Sequence, residues 1–213
     1  MIITILTDNE SSWFVKYGEI LQQKLIQEGH DVVYVFNKYG IKKGDVCLLL
    51  SCTKLIEEEF LRLNKNNIVI HASDLPLGKG FSPLQWQILE GKNKIILTLF
   101  EVVRDVDAGP YYFKSTLEYD GTEMLSELRD KMARKINSMA LKFINEYFSM
   151  KQIKQSGIES FYPRRKKQDD EVDPQKSIVE LFNQFRIADN ENYPLFFEHL
   201  GEEYSIKVEK NKK

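Results

Sequence analysis

His71 and Asp107 carry the plainest chemistry in this sequence. His71 closes an apolar run, Ile68-Val69-Ile70, and is followed by Ser73, Leu75-Pro76 and Gly78-Lys79-Gly80; Asp107 stands in a second turn-rich stretch from Asp105 to Pro110. An imidazole with an ordinary pKa of about 6.5 exchanges its proton near neutral pH, and a carboxylate close by favours the charged ring. Brought together, the two suit general acid–base chemistry. Taken singly, each has a plainer use: a histidine at a strand end is commonly structural, and an aspartate shortly before Gly109 is good turn chemistry.

Such a pair needs strands to deliver it to one edge of a sheet. Residues 2–7 are a short β-branched apolar run that reads as a buried strand. Residues 8–12 are turn and N-cap chemistry. Residues 13–28 then show helical periodicity through Tyr17, Ile20, Leu21, Leu25 and Ile26 until Gly29 stops them. Residues 32–36 and 46–50 read as strands, 56–63 as a helix, and 68–70 as a fourth strand that ends at His71. This alternation predicts an α/β fold, a Rossmann-like and mainly parallel sheet flanked by helices. Further on, 84–89 read as a short helix and 94–100 and 111–117 as two more strands. Asp120 and Glu123 have capping-box spacing ahead of a long amphipathic helix with Leu125, Leu128, Met132, Ile136, Met139 and Phe143 on one face. Residues 1–150 are expected to form the catalytic domain and 151–213 a C-terminal extension. In that extension 151–174 read as a linker or exposed loop, 177–186 as a short helix and 204–208 as a terminal strand with a frayed tail.

Bulk properties narrow the classes. With 42% apolar and 29% charged residues, a true core under a well-solvated surface is expected. A formal net charge of -2 disfavours a general nucleic-acid binder, which needs a basic excess. The two cysteines, Cys47 and Cys52, form neither a Cys-x-x-Cys nor a Cys/His pattern, so they read as reduced thiols and no metal is implied. No apolar run reaches the ~18 residues of a membrane span, and the start lacks the basic and apolar regions of a leader, so no membrane and a cytoplasmic location are expected. Arg164-Arg165-Lys166-Lys167 reads as a solvated charge run, and His30 and His199 as ordinary surface residues.

Ligands of open parallel sheets gather beyond the carboxyl ends of the strands. Three polar segments arrive there by this reading: 8–12, 51–54 and 71–83. None has the Gly-x-Gly-x-x-Gly dinucleotide fingerprint. The third, with His71, Ser73, Leu75-Pro76 and Gly80, together with Val106-Asp107 and Gly109-Pro110, resembles the folate-dependent formyltransferases. Their signature is His-Pro-Ser-Leu-Leu-Pro before a Gly-rich turn, then Val-Asp-x-Gly-Pro on a later loop. The likeness covers roughly residues 1–150. It implies the formyltransferase fold with a short C-terminal helix/strand appendage, and N10-formyltetrahydrofolate as one-carbon donor. It also implies His71 as general base supported by Asp107. The family usually has asparagine two residues before the histidine, where this chain has Val69. Asn67, Ser73 or a backbone N–H are the alternatives left open for that role. By position, Cys52, Thr53, Lys54 and Leu55, with Val106 and Asp107, match the family's pterin contacts.

Ser12-Trp13, the turn from Gly78 to Leu84 and the stretch from Arg186 to Phe197 look most similar to members that formylate nucleotide-linked amino sugars. The pseudaminic-acid type, acting on a UDP-linked 4-amino-4,6-dideoxy sugar, is the nearest of these. That likeness implies acceptor contacts at Asn9, Trp13, Gly78, Lys79, Gly80, Phe81, Arg186, Asn190 and Tyr193. Lys79 and the glycine amides would hold a pyrophosphate, and an aromatic ring would stack on the base. The partner would be that small molecule, with a homodimer as the assembly the likeness allows. Transfer to glycinamide ribonucleotide or methionyl-tRNA, or an inactive folate- or nucleotide-binding module, are the alternatives.

Overall fold

The computed structural model describes residues 1–211. Six strands form one sheet in the order β2-β1-β3-β4-β6-β7. β1 (Ile2–Leu6), β2 (Asp31–Val35), β3 (Gly44–Leu49) and β4 (Asn64–His71) run parallel, while β6 (Lys94–Glu101) and β7 (Tyr111–Glu118) pair antiparallel beyond β4. The mainly parallel sheet flanked by helices is as the alternation of elements implied.

The apolar runs separate by face, because successive strand side chains point to opposite sides. Ile3, Ile5, Leu48, Ile68, Ile70, Leu97 and Leu99 form the main core beneath α1 (Val15–Gln27) and α4 (Leu125–Asn145). Leu6, Cys47 and Leu49 form a smaller cluster on the other face, joined by Val69 and Val102. His71 is in phase with Val69, so it faces the side with the thinner cover rather than the main core.

Several boundaries differ from the pattern in the sequence. The helix expected over 56–63 is the single turn α2 (Glu58–Leu61), because the chain re-enters the sheet at Asn64 and β4 is eight residues long. The Asp120/Glu123 spacing is not the start of α4. Glu123 accepts the Asp120 and Gly121 N–H groups within the preceding turn (3.0 and 3.1 Å), and the helix begins at Leu125, where Glu127 accepts the Met124 N–H (2.9 Å). The last strand lies earlier, as β10 (Glu202–Ile206), and pairs with β9 (Leu195–His199), a stretch that the sequence pattern did not mark as a strand.

Residues 151–166 are largely exposed, as expected of a linker, yet they are bonded along their length to the body. β5 (Lys79–Gly80) pairs with β8 (Phe161–Tyr162). After this strap, α5 (Phe182–Ile187) and the β9–β10 hairpin enclose a small core of Val172, Leu181, Phe185, Ala188 and Leu195.

Candidate functional site

β4 delivers His71 at its carboxyl end. The turn between β6 and β7 leaves the sheet at the level of Asn67, whose carbonyl accepts the Val102 N–H (2.8 Å), and folds back to bring Asp107 to His71. Gly109 permits this, since a Cβ there would lie 1.7 Å from the Glu101 carbonyl oxygen. His71 Nδ1 and Asp107 Oδ2 are 3.8 Å apart, which is ion-pair range but too long for a hydrogen bond. The ring is oriented by a different group. Its Nε2 lies 2.8 Å from the Gly78 carbonyl oxygen. A carbonyl only accepts, so Nε2 carries the hydrogen and the neutral ring leaves Nδ1 bare toward Asp107. Asp107 does not bond the ring directly, and its carboxylate is itself held by the Gly80 N–H (2.8 Å).

Asn67 does not join this pair. It lies four positions back on β4, about 13 Å along the strand, and its side-chain amide donates to the Leu61 carbonyl (2.8 Å). Val69, on the same face, is packed with Val102. Ser73 is near the ring but buried, and its hydroxyl has no partner among the described residues.

The loop after β3 is held from below. Asp8 Oδ2 accepts the N–H groups of Thr53 (2.6 Å) and Lys54 (2.7 Å), while Leu55 and Val106 are exposed. Cys52 donates its thiol to the Leu6 carbonyl (3.3 Å), and burial pushes its pKa up; the Cys47 thiol is likewise raised to about 12. Neither is a nucleophile.

The acceptor-side expectations divide sharply. Arg186 is 1% exposed, bonded to Glu123, Asn93 and Asn183, and joins α5 to the start of α4, so it cannot reach a ligand. Lys79 is 2% exposed and bonded to Glu159 (2.8 Å). The Gly78 N–H donates to Ser160 Oγ (2.8 Å), and the Gly80 N–H is engaged by Asp107. A pyrophosphate therefore finds no free donor in that turn. Asn190 is tied to Val208 within the appendage and Asn9 to the Ser11 N–H. Trp13 packs edge-on against Phe14. Phe81 and Tyr193 remain exposed.

Tyr193 borders a cleft of ≈690 Å³ between the strap and the β9–β10 hairpin. Neither His71 nor Asp107 lines it, but Thr53 and Ser82 do, and Ser82 is two residues from the Gly80 amide that bonds Asp107. The strap threads past every part of the site. Gln155 donates to the carbonyls of Asp107 (2.9 Å) and Gly109 (2.7 Å), Ser160 accepts from Gly78, and Arg164 donates to the Thr53 carbonyl (3.3 Å). Nothing in the sequence marks Gln155 or Ser160, because their partners are distant along the chain. Among the described residues no cluster of His, Cys, Asp or Glu could hold a metal ion, and no helix is long and apolar enough to cross a membrane.

The formyl transferase family model matches residues 30–143, more than half of the chain and inclusive of both His71 and Asp107. The chain belongs to the formyl transferase family. A methionyl-tRNA formyltransferase of Sulfurihydrogenibium sp. (strain YO3AOP1) is 26% identical to this chain over 171 residues, which are 78% of this chain and 54% of that protein. The chain spans about half the length of the curated relatives it matches. Among solved structures, a methionyl-tRNA formyltransferase from Clostridium thermocellum superposes with a TM-score of 0.83 at 22% identity, covering 99% of this chain and 93% of that one. A 4-N formyltransferase from Francisella tularensis superposes with a TM-score of 0.73 at 17% identity, covering 100% and 98%. At these identities the superpositions establish a shared fold.

Proposed function

We propose that the chain transfers the formyl group of N10-formyltetrahydrofolate to the amine of a nucleotide-linked amino sugar. The observation that carries the catalytic part is the bare Nδ1 of His71, fixed by Gly78 and facing the Asp107 carboxylate at 3.8 Å. The donor supplies an electrophilic formyl carbon. The loop of Cys52, Thr53, Lys54 and Leu55 and the turn of Val106 and Asp107 would hold its flat ring. The fit rests on two exposed apolar side chains, Leu55 and Val106, and on a buried acceptor, Asp8 Oδ1, without a partner among the described residues.

As the amine forms its bond to the formyl carbon, Nδ1 takes the proton it loses, and the imidazolium is stabilised by Asp107. The bond from that carbon to the folate nitrogen breaks, and the proton passes from Nδ1 to the departing nitrogen. Val69 supplies no hydrogen-bond donor to the oxyanion, so that stabilisation falls to another group. A sugar-type acceptor is favoured over a polyanionic RNA by a net charge of -2. Methionyl-tRNA is the second reading, favoured by the name of the curated relative that covers 78% of this chain.

The deciding experiment incubates the protein with formyltetrahydrofolate and a panel of UDP- and dTDP-amino sugars, glycinamide ribonucleotide and methionyl-tRNA, with mass spectrometric detection. Formylated sugar nucleotide is expected. Product only from methionyl-tRNA would replace the acceptor, and no product from any amine would leave a binding module.

A further inference from the structure

The cleft beside the site has an excess of cationic groups. Its walls carry Arg129, Arg164, Arg165, Lys166 and Lys167 against Asp170, Asp189 and Glu203. Three of the cations are paired: Arg129 with Asp189 (3.2 Å), Lys167 with Glu203 (2.6 Å), and Arg165 with Asp170. Arg164 and Lys166 have no carboxylate partner among the described residues. Arg164 donates to the Thr53 carbonyl and stacks on the Phe81 ring at 4.3 Å from its centroid.

We propose that this cleft binds the diphosphate of a nucleoside-diphosphate acceptor. Arg164 and Lys166 supply the positive charge that no carboxylate among the described residues neutralises. The glycine turn does not bind it, because its amides and Lys79 are already engaged. The assignment rests on the proposed acceptor for the identity of the ligand, while the cationic excess of the cleft exists whatever the acceptor is. A volume of ≈690 Å³ suits one small ligand, and exposed Tyr193 at the rim offers a face for the base. Three carboxylates in the same walls disfavour a polyanion, which gains most from an unbroken basic surface.

The test is titration calorimetry of the full chain with UDP, UMP, inorganic pyrophosphate and an acceptor-stem RNA. The wild type, an R164Q/K166Q variant and His71→Ala are compared. UDP and pyrophosphate are expected to bind more tightly than UMP. R164Q/K166Q should weaken UDP by at least about tenfold at unchanged melting temperature, and His71→Ala should leave binding intact. The proposal is overturned by absence of UDP binding, by equal binding to the double variant, or by RNA binding more tightly than UDP through the same two residues. Its failure is separable from failure of the catalytic reading. UDP binding without formylation of any sugar nucleotide keeps the cleft and removes the acceptor. Undiminished formylation by R164Q/K166Q, with UDP affinity unchanged, does the reverse.

Discussion

Two groups face the His71 ring from different sides: a backbone carbonyl orients it through Nε2, and a carboxylate that it does not directly bond lies 3.8 Å from Nδ1. On the proposed mechanism His71→Ala removes the proton acceptor, so formyl transfer should fall by about 10²–10⁴-fold with KM for the acceptor little changed. Asp107→Asn should cost less. An amide oxygen can still accept the Gly80 N–H, and only the stabilisation of the imidazolium is lost. Steady-state kinetics on the panel substrate checks both, and an Ala variant with wild-type turnover removes His71 from the mechanism. The His71 and Asp107 types were legible in the chain, since polar residues at a strand end and in a turn stand out from apolar runs. That Nδ1 rather than Nε2 is the free nitrogen was not legible, because it depends on a carbonyl seven residues on.

Elements, rather than single residues, hold the two loops in register. The strap is the clearest case. Gln155 bonds the Asp107 and Gly109 carbonyls, so Gln155→Leu should lower kcat and leave KM nearly unchanged. Two exchanged hydrogen bonds are worth about 0.5–1.5 kcal/mol each, so the melting temperature should fall by only several degrees. A loss of folded protein at the assay temperature would mean general unfolding instead. Arg186 acts on the same scale. It is buried against Glu123 and pins the appendage to the start of α4. Arg186→Met strands part of the Glu123 charge and should cost about 3 kcal/mol or more, measured by thermal or urea unfolding. A loss below 1 kcal/mol would show that Lys131 alone satisfies Glu123.

For the whole molecule, carboxylates set the acid limit. Burial raises the Glu123 carboxyl, but Lys131 and the Asp120 and Gly121 N–H groups outweigh it, and the net shift is downward from 4.5. Asp120 is lowered to about 2, chiefly by Thr122. Asp189 is lowered too: burial raises it, and the Asn192 N–H and Arg129 more than reverse this. A depressed carboxyl stabilises the fold above its unfolded value and loses that contribution as pH falls through its folded value. Stability should therefore decline below about pH 4.5, with the loss continuing toward pH 2. Asp170 works the other way, since burial raises it above 3.8 despite Arg165, so its protonation partly offsets the loss. Unfolding midpoints across pH 2–7 test the sign, and a midpoint that rises on acidification would contradict it.

Strand and helix identity, the sheet's mainly parallel character and the polar segments at its edge were written in local patterns, because a period of two or 3.6 residues needs only neighbours along the chain. Boundaries at 56–64 and 195–206 were not, since there tertiary pairing competes with local preference. Only the folded molecule decides that Lys79, Arg186 and the glycine amides are structural and that the charge run at 164–167 lines a cleft. The reason is physical: a lysine beside two glycines looks the same in sequence whether its ammonium meets water, a ligand or Glu159. What satisfies a donor is set by groups dozens of residues away.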